Sequence, residues 1–179
     1  MLNILTANLV LSTLVFWIAA RLYLLPKLTQ ISPRAVLLPI LLLHSFRHLG
    51  LMFLAPGATY AGMPEQFAYP AAFGDLLAAL LAMAAILPVA KDAPAARPLV
   101  WIFNVEGTLD LIVAIALATA YGAAPSMGAA YWIPAFWVPA LLVTHYLTFM
   151  VLRRYRPGTG GYASARGQIE QAVAAPARH

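Results

Sequence analysis

The sequence contains no cysteine, which excludes a disulfide framework, a thiolate metal site and thiol catalysis. It is also short of charge. Charged residues make up 9% of the chain, against about 25% in a soluble domain, whose surface has to be solvated. Eleven Lys and Arg with six Asp and Glu cannot cover a soluble surface for 179 residues. No GxSxG, Walker or GxGxxG pattern occurs, so acyl-hydrolase and nucleotide chemistry have no support. The pI near 9.8 does not indicate nucleic acid. The basic residues fall between apolar segments, where membrane topology accounts for them.

Apolar surface is what the chain has in excess: 63% of residues are hydrophobic, and the mean hydropathy is +0.81. A spanning helix needs about 20 mostly apolar residues. Five stretches satisfy this, at 4–25, 35–55, 68–90, 98–122 and 131–152. The fold expected is therefore all-α, a polytopic five-helix transmembrane bundle over residues 1–156. A Gly/Ala/polar tail at 157–179 has no apolar face to bury and is expected to be loosely ordered. The connections KLTQISPR, PGATYAGMPEQ, KDAPAARP and AAPSMGAA carry Pro and Gly where helices must stop.

Orientation follows from the basic residues. Arg21, Lys27 and Arg34 follow the first helix, and Lys91 and Arg97 the third. Arg153, Arg154, Arg156, Arg166 and Arg178 follow the fifth. The positive-inside rule then places the N-terminus outside and the C-terminus in the cytoplasm of a bacterial inner membrane. MLNILTANLV lacks the basic start of a cleavable signal. In the third helix Gly74, Ala78 and Ala82, with Ala71, Ala79 and Ala85 beside them, allow close helix approach. Pro139 in the fifth frees the carbonyl of Ala135 and predicts a bend.

The remaining basic residue, Arg47, lies inside the second helix. Asp75 lies in the third, Glu106 and Asp110 in the fourth, and His44, His48 and His145 in the second and fifth. Ionisable groups at membrane depth are costly and face the bundle interior, where they pair or work. At about 1.5 Å per residue, two levels are expected. The lower one, roughly 10–13 Å above the cytoplasmic boundary, holds His44, Glu106 and His145. The upper one, roughly 18–21 Å up, holds Arg47, His48, Asp75 and Asp110, and Arg47 is expected to form an ion pair with Asp75 or Asp110. His44 and His48 are i, i+4, so one face of an α-helix carries both, as it does Glu106 and Asp110. Asn104, Gly107 and Thr108 fall on roughly the opposite face of the fourth helix, which is therefore expected to have neighbours on both sides, and Asn104 joins the candidate buried polar residues.

One arginine against three acids leaves a deficit that two protons or one divalent cation would repair. The leading expectation is a buried His/carboxylate/Arg site binding or conducting protons, a metal ion or a small polar molecule. A second is a membrane-embedded metalloenzyme acting on a lipid or apolar substrate. In that reading His44, His48 and His145 with Glu106 or Asp110 hold zinc, iron or manganese. A third is haem held axially by His44 or His48 with His145, or an accessory subunit of a larger membrane complex. The expected partners are the lipid bilayer, a second copy or such a complex, and no nucleic acid.

Overall fold

A computed structural model describes residues 4–155 and Pro157; beyond Pro157 the expected tail lies outside the described residues. The chain is all-helical. Five helices are long and apolar enough to cross a membrane: α1 (Ile4–Lys27), α2 (Pro33–Leu54), α3 (Glu65–Ala90), α4 (Ala96–Ala120) and α5 (Gly128–Leu152). Ser32 caps α2, its Oγ accepting from the Ala35 backbone N–H at 3.3 Å, and Pro33 opens the first turn, where no donor is needed. The Asp92 turn after α3, at φ 50°, and the Gly122 turn after α4, at φ 60°, reverse the chain through the left-handed region.

Outward faces carry what a soluble protein would bury. Val10, Leu14, Leu80, Ile112 and Phe136 are all exposed, a surface suited to hydrocarbon. The interior of α3 is lined by alanine. Ala72, Ala78, Ala79, Ala82 and Ala85 are fully buried, and α3 packs against both α2 and α4. Without bulky side chains between them, the backbones approach closely and van der Waals contact supplies the association. Two apolar clusters fill the ends of the bundle. One is built around Leu37, Leu41, Val89, Phe103 and Leu147, the other around Phe53, Phe67, Leu111, Met127 and Leu141. On α2, α3 and α4 the polar residues fall between the two.

Three helices change their winding. α1 passes from α-helix into a π-helical stretch at Ala20–Leu24 and a 3-10 turn at Leu25–Lys27. α2 is α-helical over Pro33–Ser45 and continues as a 3-10 helix over Phe46–Leu54, well beyond the three or four residues usual for that form. α5 contains a π-helical stretch, Ile133–Trp137, followed by α-helix over Val138–Leu152. The irregularity expected from Pro139 therefore takes the form of a π turn just before the proline.

Candidate functional site

The 3-10 continuation of α2 builds the site. Side chains three apart eclipse in a 3-10 helix, and the buried positions run His44, Arg47, Gly50, Phe53. His48 departs from the expectation: it is exposed, and its Nδ1 lies 2.8 Å from the Ser45 carbonyl as donor. In an α-helix His44 and His48 would share a face. The tighter winding swings His48 outward and brings Arg47 into line with His44.

Arg47 is 1% exposed and ties three helices together. Its Nε donates to Asp75 Oδ1 of α3 at 2.7 Å. Nη2 donates to Asp110 Oδ2 of α4 at 2.5 Å. Nη1 donates to the Gly107 carbonyl at 3.1 Å and to His145 Nε2 of α5 at 3.2 Å. The guanidinium thus joins His145 of the lower expected level to Asp75 and Asp110 of the upper one. Such planar, multiply donating contact is available to arginine and not to lysine.

His145 is fixed in turn. Its Nδ1–H donates to Asn104 Oδ1 at 2.8 Å, and Asn104 Nδ2 donates to the His145 carbonyl at 3.3 Å. With Nε2 accepting from Arg47, His145 is the neutral Nδ1–H tautomer. Asn104, a candidate buried polar residue from the sequence, and Gly107 therefore lie on the site-forming face of α4, so this face as well as that of the carboxylates serves the site. The buried stripe runs Phe103, Asn104, Gly107, Leu111, and Asp110 reaches Arg47 from its edge. Thr108 returns its hydroxyl to the Asn104 carbonyl at 2.6 Å.

His44 packs against the ring of His145, centroids 4.3 Å apart, and against Phe103 at 5.0 Å. Its Nε2 is 2.8 Å from Thr144 Oγ1. That hydroxyl faces the Ala140 and Leu141 carbonyls, each at 3.0 Å. The hydroxyl proton goes to a carbonyl, so His44 Nε2–H is the donor and its Nδ1 is a buried lone pair without a partner among the described residues. Glu106, half-buried one turn before Asp110, has its Oε2 buried and likewise without a partner among them.

Three glycines make this packing possible. A Cβ on Gly50 would overlap the Asp75 carboxylate, and one on Gly74 the Asp110 carboxylate. One on Gly107 would come 2.6 Å from Arg47 Nη1 and 2.7 Å from His145 Cε1. Each charged partner of the network thus lies in the space left by a missing side chain on the neighbouring helix. Sequence reasoning took Gly74 as a packing residue and gave Gly50 no role. Composition carried no signal linking a glycine on one helix to a carboxylate on another.

The expected metal set, His44, His48, His145, Glu106 and Asp110, is not assembled. Among the described residues no group of three or more His, Cys, Asp or Glu side chains is arranged to hold a metal ion. His48 faces away, and both nitrogens of His145 are engaged. The His44–His145 ring contact also leaves no slot between them for a haem macrocycle, which the axial arrangement would need.

No curated protein and no solved structure matches this chain. A family model described as a domain of unknown function (DUF8737) matches residues 4–153, a stretch that takes in all five helices and every residue of the polar network. The chain belongs to that family.

Proposed function

We propose that this is a multi-pass protein of a bacterial inner membrane, N-terminus outside and C-terminus cytoplasmic, whose Arg47 cluster binds and exchanges protons within the bilayer. The observation that carries the reading is the charge count around one guanidinium. Arg47 contacts Asp75 and Asp110 directly, and Glu106 sits one helical turn from Asp110. Three ionised carboxylates against one arginine would leave a net charge of −2 in a region of low dielectric, where unpaired charge is expensive. His145 cannot supply the missing positive charge in place, since protonating Nε2 would set it against the Arg47 N–H it now accepts. Protons on the carboxyl groups balance the cluster with no further ligand. Asp110 and Glu106, both only partly buried, are the groups placed to exchange them.

Infrared difference spectroscopy on the protein in lipid nanodiscs tests this. A carbonyl band of a protonated carboxyl group is expected at neutral pH, lost or shifted by Asp110→Asn or Glu106→Gln. Three carboxylates ionised throughout the neutral range would reject the proposal. Zinc, iron or manganese co-purifying at one equivalent and lost with His44→Ala would favour the metal reading instead.

A further inference from the structure

A cavity of about 230 Å³ lies between all five helices, α2 contributing Phe53, at the end of the bundle holding the α2–α3 and α4–α5 loops. Its wall is mostly hydrocarbon, with Leu9, Phe67, Leu111 and Ile115 among the lining residues; Thr6 and Thr119 add hydroxyl groups, and Asp75 is its one charged group among the described residues. The volume equals that of roughly eight waters, enough for a short chain or a single substituted ring.

Asp75 is only half used by the network. Oδ1 accepts from Arg47 at 2.7 Å, whereas Oδ2 lies in the notch left by Gly50 of α2 and accepts no hydrogen bond among the described residues. The Asp75 side chain keeps 10% of its surface and lines the cavity. An acceptor with a free lone pair at the end of an apolar chamber calls for a donor carried on an apolar body. The acidic surroundings of Arg47 select that donor's charge, because a cation can take the place of one of the protons that balance the carboxyl groups, whereas an anion adds to the excess.

We propose that this cavity is a binding site for a lipophilic amine, a protonated primary or secondary ammonium group on a short hydrocarbon body. The ammonium donates to Asp75 Oδ2, and the hydrocarbon lies along Leu9, Phe67 and Leu111. The ligand reaches the site from the bilayer, where such molecules partition. The choice of a cationic head rests on the same charge excess as the proton reading; the existence of the site rests on the cavity and on the free oxygen of Asp75.

The test compares octylamine, 1-octanol and octanoate, which share a chain and differ in head group, as stabilisers of the protein in nanodiscs. Octylamine is expected to raise the melting temperature at a concentration at least tenfold below that needed for 1-octanol, with octanoate inactive. Ala118→Leu fills the cavity from a lining position away from the network and is expected to abolish the octylamine effect. Ala114→Leu serves the same purpose should Ala118→Leu not fold. Asp75→Asn is expected to remove the preference for amine over alcohol. Equal potency of the three compounds, or an octylamine shift retained in the cavity-filled variant, would overturn the proposal. The infrared band separates the two readings: a protonated carboxyl without amine binding leaves the proton reading standing and removes this one. Selective amine binding with all carboxylates ionised does the reverse.

Discussion

Arg47 concentrates the energetics of the molecule in one side chain. It is among the largest fully buried side chains, and four of its contacts lie on other helices. Removing one partner of a buried ion pair costs about 3–5 kcal/mol, mostly because the survivor is left unpaired. Arg47→Leu is therefore expected to lower the melting temperature sharply. Replacing Arg47, Asp75 and Asp110 together by leucine is expected to recover much of that loss, since no uncompensated charge remains. A single mutant as stable as the parent would contradict the network. The glycines give a second residue-scale expectation. Gly74→Ala is expected to cost about 1–3 kcal/mol through overpacking. In the background of Asp110→Ala that cost should fall, because the atoms in the way are gone. A double-mutant cycle reads this as a coupling energy, and additive costs would mean that the contact carries none.

At the scale of the element, the 3-10 half of α2 decides which histidine belongs to the site. His48 sits outside, so His48→Leu is expected to leave the melting temperature within the range of surface changes, about 0.5 kcal/mol. His145→Leu removes the acceptor of Arg47 and the donor to Asn104, and is expected to destabilise several times more. Comparable effects at the two positions would mean that α2 continues as an α-helix. The far end of α5 offers a pH reading. Tyr155 O–H donates to Asp92 Oδ1 at 3.3 Å. Burial, followed by the Asp92 carboxylate, pushes the Tyr155 phenol up to about 12. A raised phenol pKa means that the neutral form belongs to the fold. Its contribution is complete below about pH 10, the unfolded value, and is lost as pH rises through about 12. Tyrosinate absorbance should show one late-titrating tyrosine that Tyr155→Phe removes.

At the scale of the whole molecule, orientation is the testable property. The basic residues following α1, α3 and α5 imply that a C-terminal reporter is cytoplasmic and that one in the loop 60–66 is outside. Reporter activity on the opposite sides would invert the model of entry into the amine cavity and of proton exchange alike. The cavity proposed for an amine lies at the end of the α2–α3 and α4–α5 loops, away from Arg34, Lys91, Arg97 and Arg153. In the proposed orientation, a ligand entering from the outer leaflet would meet Asp75 before these cations.

The five helices were legible in the sequence because the bilayer imposes a length and a composition that any span must meet, whatever it packs against. The scarcity of charge made Arg47, Asp75, Glu106, Asp110 and His145 stand out for the same reason. One pairing was legible too: shared depth set Arg47 against Asp75 or Asp110, and both ion pairs form. The partners of His44 and His145 were not. Depth along a helix follows from counting residues, but the direction of a side chain depends on local winding. The change from α to 3-10 at Phe46 turns His48 out of the site while Arg47 stays in it, without a proline or glycine at that point to announce it. Asn104 was legible as a buried polar residue, but its bond to His145 was not, because the two carboxylates were taken to mark the site-forming face of α4. The structure buries the stripe of Asn104 and Gly107 most deeply, and Asp110 reaches in from its edge. Nor does any sequence pattern join Gly50 to Asp75 or Gly74 to Asp110. Such close approach exists only once α2, α3 and α4 have packed, and the packing decides where a missing Cβ becomes room for a charge.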